Sequence, residues 1–489
     1  MDQINNNQFT KTSVMFNMIW KFSERTASQM VSFIVTIVLA RLLLPSEFGL
    51  IAMVTVFITI ADVFVTSGFG SALIQKKDVD NLDYSSVFFF SIGFSIILYG
   101  IIFYIAPIIA VFYQYEILTI VMRVLGLRVI FAAVNSVQQA YVAKHLIFKK
   151  YFFSTISGTL ISAVIGISMA YIGYGLWALV TQQMVNVTVN TIVLWSLLKW
   201  RPNLQFSVKR IKRLFSFGWK ILLAGLLNTI SNQIRHLIIG KMYSPSDLAY
   251  YDRGLKFPSL IMVNINTSIS AVMFPVISNE QEDLERIKKL TRKSIRISSY
   301  FIFPIMMGLA VMAEPLVKLL LTEKWLPCIP YLRIGCFIHS VTIMQIAIQN
   351  AIMARGRSDI FLAMDIISKV FGIILLIMVM KKSVMAIALT ALITGTFNTL
   401  MKAYVSKRLI GYRFHEHISD NAPIIILSTI MGIFVYLINF LKLSNILTII
   451  IQITLGISIY LLLSLLFKLD EFSFSLNLIK KFKKGKTYV

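Results

Sequence analysis

Ten ionisable side chains interrupt otherwise apolar stretches of this chain: Glu24, Arg25, Asp62, Arg123, Arg128, Lys220, Arg235, His236, Asp365 and Lys369. Inside a membrane-spanning helix such a group costs at least ~2.5–3.5 kcal/mol on insertion scales, so each marks a ligand path, an ion path or a buried pair. With His236 set aside, bases outnumber acids six to three. A cavity lined this way is electropositive and suits an anionic ligand. Arginine is the favoured partner of phosphate, because its planar fork donates two parallel hydrogen bonds. On this reading Arg25, Arg128 and Arg235 bind substrate. Glu24, Asp62, Arg123, Lys220, His236, Asp365 and Lys369 are supporting cavity charges.

Several of these residues have a structural alternative. Arg25 lies about two turns into its helix and can extend to the headgroups. Arg128 can pair with Asp62, and Asp365 and Lys369, one turn apart, can neutralise each other. Arg235 differs. It closes the run Asn228-Thr229-Ile230-Ser231-Asn232-Gln233-Ile234-Arg235-His236, which is too polar to face lipid and must line protein or water.

Other chemistry is excluded. No Gly-rich loop ends in Gly-Lys-Ser/Thr, so there is no ATP cradle. His415-Glu416-His417 puts its imidazoles on different helical faces and reads as a solvated cluster, so no metal is expected. Cys328 and Cys336 form neither a disulfide framework nor a metal set. No embedded carboxylate pair suits hydrolysis. The chain is read as a non-enzyme without a cofactor, driven by an ion gradient (H+ or Na+, left open) or by the substrate's own gradient.

The elements that must position these charges are membrane helices. Hydrophobic residues make up 57% of the 489 positions and charged residues 14%, against about 25% charged in soluble proteins. Fourteen spans are expected, near 16–43, 48–70, 86–112, 117–143, 153–173, 176–198, 214–243, 255–277, 296–321, 330–353, 359–380, 384–405, 423–441 and 446–467. Helix is the spanning form these lengths allow, since the backbone must satisfy itself in lipid. With the amino terminus inside, 31 Lys and Arg fall on the cytoplasmic side and nine outside, which fixes both termini in the cytoplasm. The net charge of +25 is thereby spent on topology and on anionic lipid. Nucleic-acid binding is not expected, because the bases scatter over many short loops. The polar, Asn-rich opening carries no cleavable signal, so the first helix acts as its own.

The halves repeat. Pro45-Ser46-Glu47-Phe48-Gly49 returns as Pro245-Ser246-Asp247-Leu248-Ala249, and Gln138-Gln139-Ala140 with Ala143-Lys144 returns as Gln349-Asn350-Ala351 with Ala354-Arg355. Two echoes in the same order imply a duplicated unit, and duplicated helical halves build transporters with a site between them. Six spans per half makes the repeat parallel. The expected organisation is a cytoplasmic tail at 1–15, a six-helix bundle at 16–198, a cytoplasmic linker at 199–213 and a second bundle at 214–405. Two extra helices at 423–467 and a basic cytoplasmic tail at 468–489 follow, the tail lying in the inner-leaflet interface or solvated.

The stretch from Trp20 through Glu24, Gln29 and Leu39-Ala40-Arg41-Leu42-Leu43 to Pro45-Ser46-Glu47-Phe48-Gly49-Leu50 resembles the Wzx-type oligosaccharide flippases, in their WzxC/TuaB-like branch. Thr66-Ser67-Gly68-Phe69-Gly70-Ser71-Ala72-Leu73-Ile74-Gln75 and Gly173-Tyr174-Gly175-Leu176-Trp177-Ala178-Leu179 are similar to the same branch. The resemblance implies the all-α fold of the multidrug/oligosaccharidyl-lipid/polysaccharide (MOP) superfamily: two parallel-repeat six-helix bundles in a V around a central cavity, plus two C-terminal helices. It implies passage of an undecaprenyl-pyrophosphate-linked glycan from the inner to the outer leaflet of a bacterial cytoplasmic membrane. The chain is taken as a monomer that hands its cargo to glycan polymerase or assembly proteins. A drug/cation antiporter of the superfamily would need a carboxylate-dominated cavity. A glycan polymerase or ligase would need a sizeable exoplasmic loop, and a scaffold would leave the embedded charges unexplained.

Overall fold

The computed structural model describes residues 11–278, 280 and 283–473. Most of the expected amino-terminal tail and of the expected basic tail lies outside the described residues. Every regular element among the described residues is helical. In order they are α1 (Lys11–Leu42), α2 (Pro45–Thr66), α3 (Phe69–Gln75), α4 (Asn81–Tyr113), α5 (Ile117–Gly126), α6 (Arg128–His145), α7 (Phe148–Ile172), α8 (Leu176–Leu197) and α9 (Val208–Met242). Then come α10 (Pro245–Ser278), α11 (Leu284–Val311), α12 (Ala313–Leu320), α13 (Ile329–Ala354), α14 (Ser358–Val379), α15 (Val384–Ile410), α16 (Phe414–Leu437) and α17 (Asn445–Leu466). The chain divides into two compact units, one ending at Ala249 and the other beginning at Tyr250.

Among the described residues, 12 segments are long and apolar enough to cross a membrane. Twelve of the fourteen expected spans are among them. The expected sixth and eighth spans form helices α8 and α10, which are not among the 12; α8 is polar for a span, whereas the 260–277 stretch of α10 is apolar and uncharged. α8 carries Gln182, Gln183, Asn186 and Asn190, while α10 opens with Asp247, Asp252, Arg253 and Lys256. Three expected spans are also broken: between α2 and α3 at Ser67-Gly68, between α5 and α6 at Leu127, and between α11 and α12 at Met312. The first break turns on Gly68, whose φ of 94° lies in a region that side chains disfavour.

The echoed motifs are local copies. At the start of α2 the Leu44 N–H donates to Glu47 Oε2 at 2.7 Å. At the start of α10 the Ser244 N–H donates to Asp247 Oδ2 at 3.1 Å. In each a carboxylate satisfies an otherwise orphan amide where the helix dipole favours negative charge. The copies also touch: a Cβ at Gly49 would overlap the Pro245 carbonyl.

In the first unit α7 packs between α1 and α8. Its buried residues include Ser154, Gly158, Ser162, Gly166 and Ala170, one small residue per turn, the pattern that lets helix backbones approach closely in lipid. A Cβ at Gly158 would meet the Asn186 carbonyl oxygen at 2.9 Å, and one at Gly166 would meet Gln182 Cβ at 2.7 Å.

The segment at 199–213, expected as a linker, is stapled along the start of α4. Trp200 Nε1 donates to Asn81 Oδ1 at 2.7 Å, the Asn203 N–H to Ser85 Oγ at 2.9 Å and the Ser207 N–H to Ser86 Oγ at 3.0 Å. Arg210, in the first turn of α9, then bridges Asp80 at 2.9 Å and the fully buried Asp83 at 3.2 Å. Lys76 completes this cluster on Asp83. α9 packs on α2, α3 and α4, and thus belongs to the first compact unit.

Candidate substrate site

The break at Leu127 makes Arg128 the first residue of α6. Half-buried there, it donates through Nη1 to Gln183 Oε1 on α8 at 2.5 Å. Arg128 is the base whose field reaches Asp62 on α2, yet no ion pair joins them among the described residues. Asp62 Oδ1 is buried and accepts no hydrogen bond. The arginine is therefore oriented by a neutral amide and left with most of its donors for a ligand. Gln183 was not foreseen, although an amide in an apolar span could have signalled it.

Below Gln183 the polar face of α8 continues as a ladder. Asn186 Nδ2 donates to Ser162 Oγ at 3.3 Å. Ser154 Oγ donates to the Asn190 carbonyl at 2.7 Å, and Asn135 Nδ2 on α6 donates to Thr191 Oγ1 at 2.7 Å. These bonds tie α8 to α6 and α7 through Asn186, Asn190 and Thr191.

The other expected residues of this unit are dispersed. Glu24 hydrogen-bonds Thr155 on α7, close to Lys21 and to Arg25, its neighbour on α1. Trp20 anchors the same turn against Phe152, with ring centroids 5.3 Å apart. Arg123 lies over the Phe103 ring at 4.0 Å and donates to the Phe103 carbonyl at 3.3 Å, so it is held by α4 rather than grouped with Arg128. On α9 Arg235 and His236 are half-buried, whereas Lys220 is exposed.

The second unit has its own charged core, on α13, α14 and α15. Lys369 Nζ lies 2.7 Å from Asp365 Oδ2, one turn away on α14. Asp365 also acts on Lys402 of α15. Lys402 is only 5% exposed and donates to Gln349 Oε1 at 3.1 Å. It is thus a further embedded base, within the expected span 384–405. One turn earlier Gln345 Nε2 donates to the Gly395 carbonyl and to Thr399 Oγ1, both at 2.9 Å. Two lysines thus share one carboxylate, leaving this core net positive. No group of His, Cys, Asp and Glu suited to a metal occurs among the described residues. His417 instead meets Ser406 Oγ at 3.1 Å.

Comparison with known proteins places this arrangement. The family model described as polysaccharide biosynthesis protein matches residues 38–330. The chain is 23% identical over 385 residues to the teichuronic acid biosynthesis protein TuaB of Bacillus subtilis (strain 168), covering 77% of this chain and 78% of that one. It is 23% identical over 412 residues to the lipopolysaccharide biosynthesis protein WzxC of Escherichia coli (strain K12), covering 81% and 83%. In fold it is similar to the lipid II flippase MurJ in an inward closed conformation. That match has a TM-score of 0.76 at 16% identity, covering 93% of this chain and 98% of that one. An inward-facing multidrug resistance MATE transporter of the MOP superfamily follows with a TM-score of 0.64 at 14% identity, covering 78% and 94%.

Proposed function

Because the chain belongs to the polysaccharide biosynthesis protein family, we propose that it flips an undecaprenyl-pyrophosphate-linked oligosaccharide from the inner to the outer leaflet of the bacterial cytoplasmic membrane. A multi-pass transporter of polysaccharide biosynthesis in the MOP superfamily is the class to which it belongs; the cargo and the cycle are our reading. The observation that carries it is Arg128, half-buried at the break between α5 and α6 and held by the neutral Gln183 at 2.5 Å. A guanidinium fixed in this way is pre-oriented for an anion, and a diphosphate accepts its fork in two parallel bonds. Arg25 on α1 and Arg235 on α9 supply further forks.

Alternating access follows from the same charges. A diphosphate held by arginines leaves water with its charge compensated, while the polyprenyl tail stays in lipid. Helices that rearrange around the head group then release it at the other face. Both termini lie in the cytoplasm on this reading, in accord with the 31-to-nine distribution of bases. The monomer passes its cargo to glycan polymerase or assembly proteins.

Complementation of a flippase-null strain, with protein level measured in parallel, tests the reading. Arg128→Ala removes a charge-assisted contact worth about 1.5–3 kcal/mol, and glycan export should fall more than tenfold at unchanged protein level. Arg128→Lys should restore it in part, because a lysine lacks the fork. The Arg25→Ala, Arg235→Ala double variant should also lose export. Full export by both variants would refute the proposed site.

A further inference from the structure

We propose that the first unit holds a subsite for an uncharged sugar ring of the cargo glycan, in a cavity where α3, α6 and α7 meet. The proposal rests on the flippase reading and adds where the glycan itself is recognised. The cavity measures about 270 Å³, and its lining includes Thr66, Ser71, Ser136, Gln139, Phe148 and Tyr151. Among the described residues no charged side chain lines it. The bases of the flanking turns are engaged elsewhere. Lys144 Nζ donates to the Ile74 carbonyl at 3.0 Å and to the Lys76 carbonyl, which ties the end of α3 to α6. Lys76 itself pairs with Asp83, and Lys150 Nζ donates to the Leu197 carbonyl at 2.8 Å. Lys149 lies over the Trp20 ring at 5.6 Å and Lys21 over the Phe148 ring at 5.2 Å. An anion is poorly matched to such a cavity, and a neutral polyol is well matched.

The polar lining suits hydroxyl groups. Thr66 Oγ1 and Ser136 Oγ donate back into their own helices, at 2.7 and 2.8 Å, and keep oxygen lone pairs as acceptors. Ser71 and Gln139 are exposed, and their side chains make no hydrogen bond among the described residues. A sugar hydroxyl both donates and accepts, and the Gln139 amide offers it one group of each kind. Phe148 and Tyr151 add ring surface, against which the C–H face of a pyranose packs. Gln139 also stands in register with the proposed diphosphate site. It follows Arg128 on the continuous helix α6 by eleven residues. That is three turns to within about 20°, so the two side chains leave the same side of α6 about 16 Å apart along its axis. A glycan joined to a diphosphate at Arg128 thus reaches the cavity after a few sugar rings. The cavity lies at the end of α6 that the distribution of bases assigns to the cytoplasm, the side on which the cargo loads.

The test measures the binding of two lipids to the purified full-length protein in detergent. One is undecaprenyl diphosphate, and the other is the undecaprenyl-diphosphate-linked glycan extracted from the producing bacterium. The wild-type protein should bind the glycan-bearing lipid about tenfold more tightly or better. Gly70→Leu should abolish that preference by filling the cavity, which Gly70 also lines, and should leave the affinity for undecaprenyl diphosphate unchanged. The new side chain is accommodated, because an added Cβ at Gly70 meets nothing within 4 Å. Gln139→Ala should lower the preference about fivefold, the loss expected for one hydrogen bond. Arg128→Ala should instead weaken both lipids alike. A preference that survives either cavity variant, or a wild type without one, would overturn the subsite and leave the flippase reading standing. Equal weakening of both lipids by Gly70→Leu would give the cavity to the diphosphate and overturn it as a sugar subsite. Binding of neither lipid by the wild-type protein would overturn the flippase reading itself, and the subsite with it.

Discussion

The helix pair α7/α8 of the first unit and the pair α14/α15 of the second are built on the same seam with different fillings. On α7 the buried positions Ser154, Gly158, Ser162 and Gly166 lie one turn apart. On α14 the buried positions are Met364, Ser368, Gly372 and Leu376, each 210 places after its counterpart. Small residues bring α7 and α8 close enough for hydrogen bonds to cross between Ser154 and Ser162 and the asparagines of α8. Met364 and Leu376 hold the second seam wider. There the partners meet through side chains, as Phe371 and Phe397 do with ring centroids 4.3 Å apart. The first seam is rigid and locked by polar contacts. The second is looser and has room for a buried lysine. A duplicated scaffold can thus keep its register while dividing the work between a fixed layer and an adaptable one.

Enlarging a glycine in each seam separates the two most sharply. Gly158→Leu drives a side chain into the backbone of α8 and should cost about 3 kcal/mol or more, removing most folded protein from membranes. Gly372→Leu meets only the side chain of Thr394, at 3.1 Å, which can rotate, and should cost about 1 kcal/mol. Fluorescence-detected size exclusion after heating measures both, and equal losses would erase the distinction between the seams.

A smaller effect, of opposite sign, is expected at Lys402. Replacing this buried ammonium by methionine removes a desolvated charge that only an amide and a shared carboxylate compensate. Stability should rise by ~2 kcal/mol, while export falls. Wild-type export by Lys402→Met would show that the charge serves packing alone. The smallest effect is Ser154→Ala, which deletes one crossing hydrogen bond and should lower stability by about 1 kcal/mol, with export retained.

Much of this was legible in the sequence. Apolar stretches gave the helices, and the Pro-Ser-acid motifs marked two equivalent helix starts because capping is local chemistry. The embedded charges were visible because they violate hydropathy. What escaped depends on partners from distant helices. Asp83 follows a loop in sequence, yet Lys76 and Arg210 bury it completely. Arg123 and Arg128 look alike on one span, but the break at Leu127 gives one to the Phe103 ring and the other to Gln183. α8 reads as polar for a span because its polar groups are placed for contacts with α6 and α7 that composition does not reveal. The period of four along α7 was present in the chain all along. It becomes meaningful once α8 is known to lie against it.

The meeting of Gly49 with Pro245 bears on the ancestry of the molecule. Two copies that both carried alanine at this place in the motif could not have docked there, since a methyl at position 49 would be driven into the opposing carbonyl oxygen. A missing methyl group at one position of the first copy is therefore a condition of the contact, and it leaves the second copy at liberty to carry a side chain at the equivalent place.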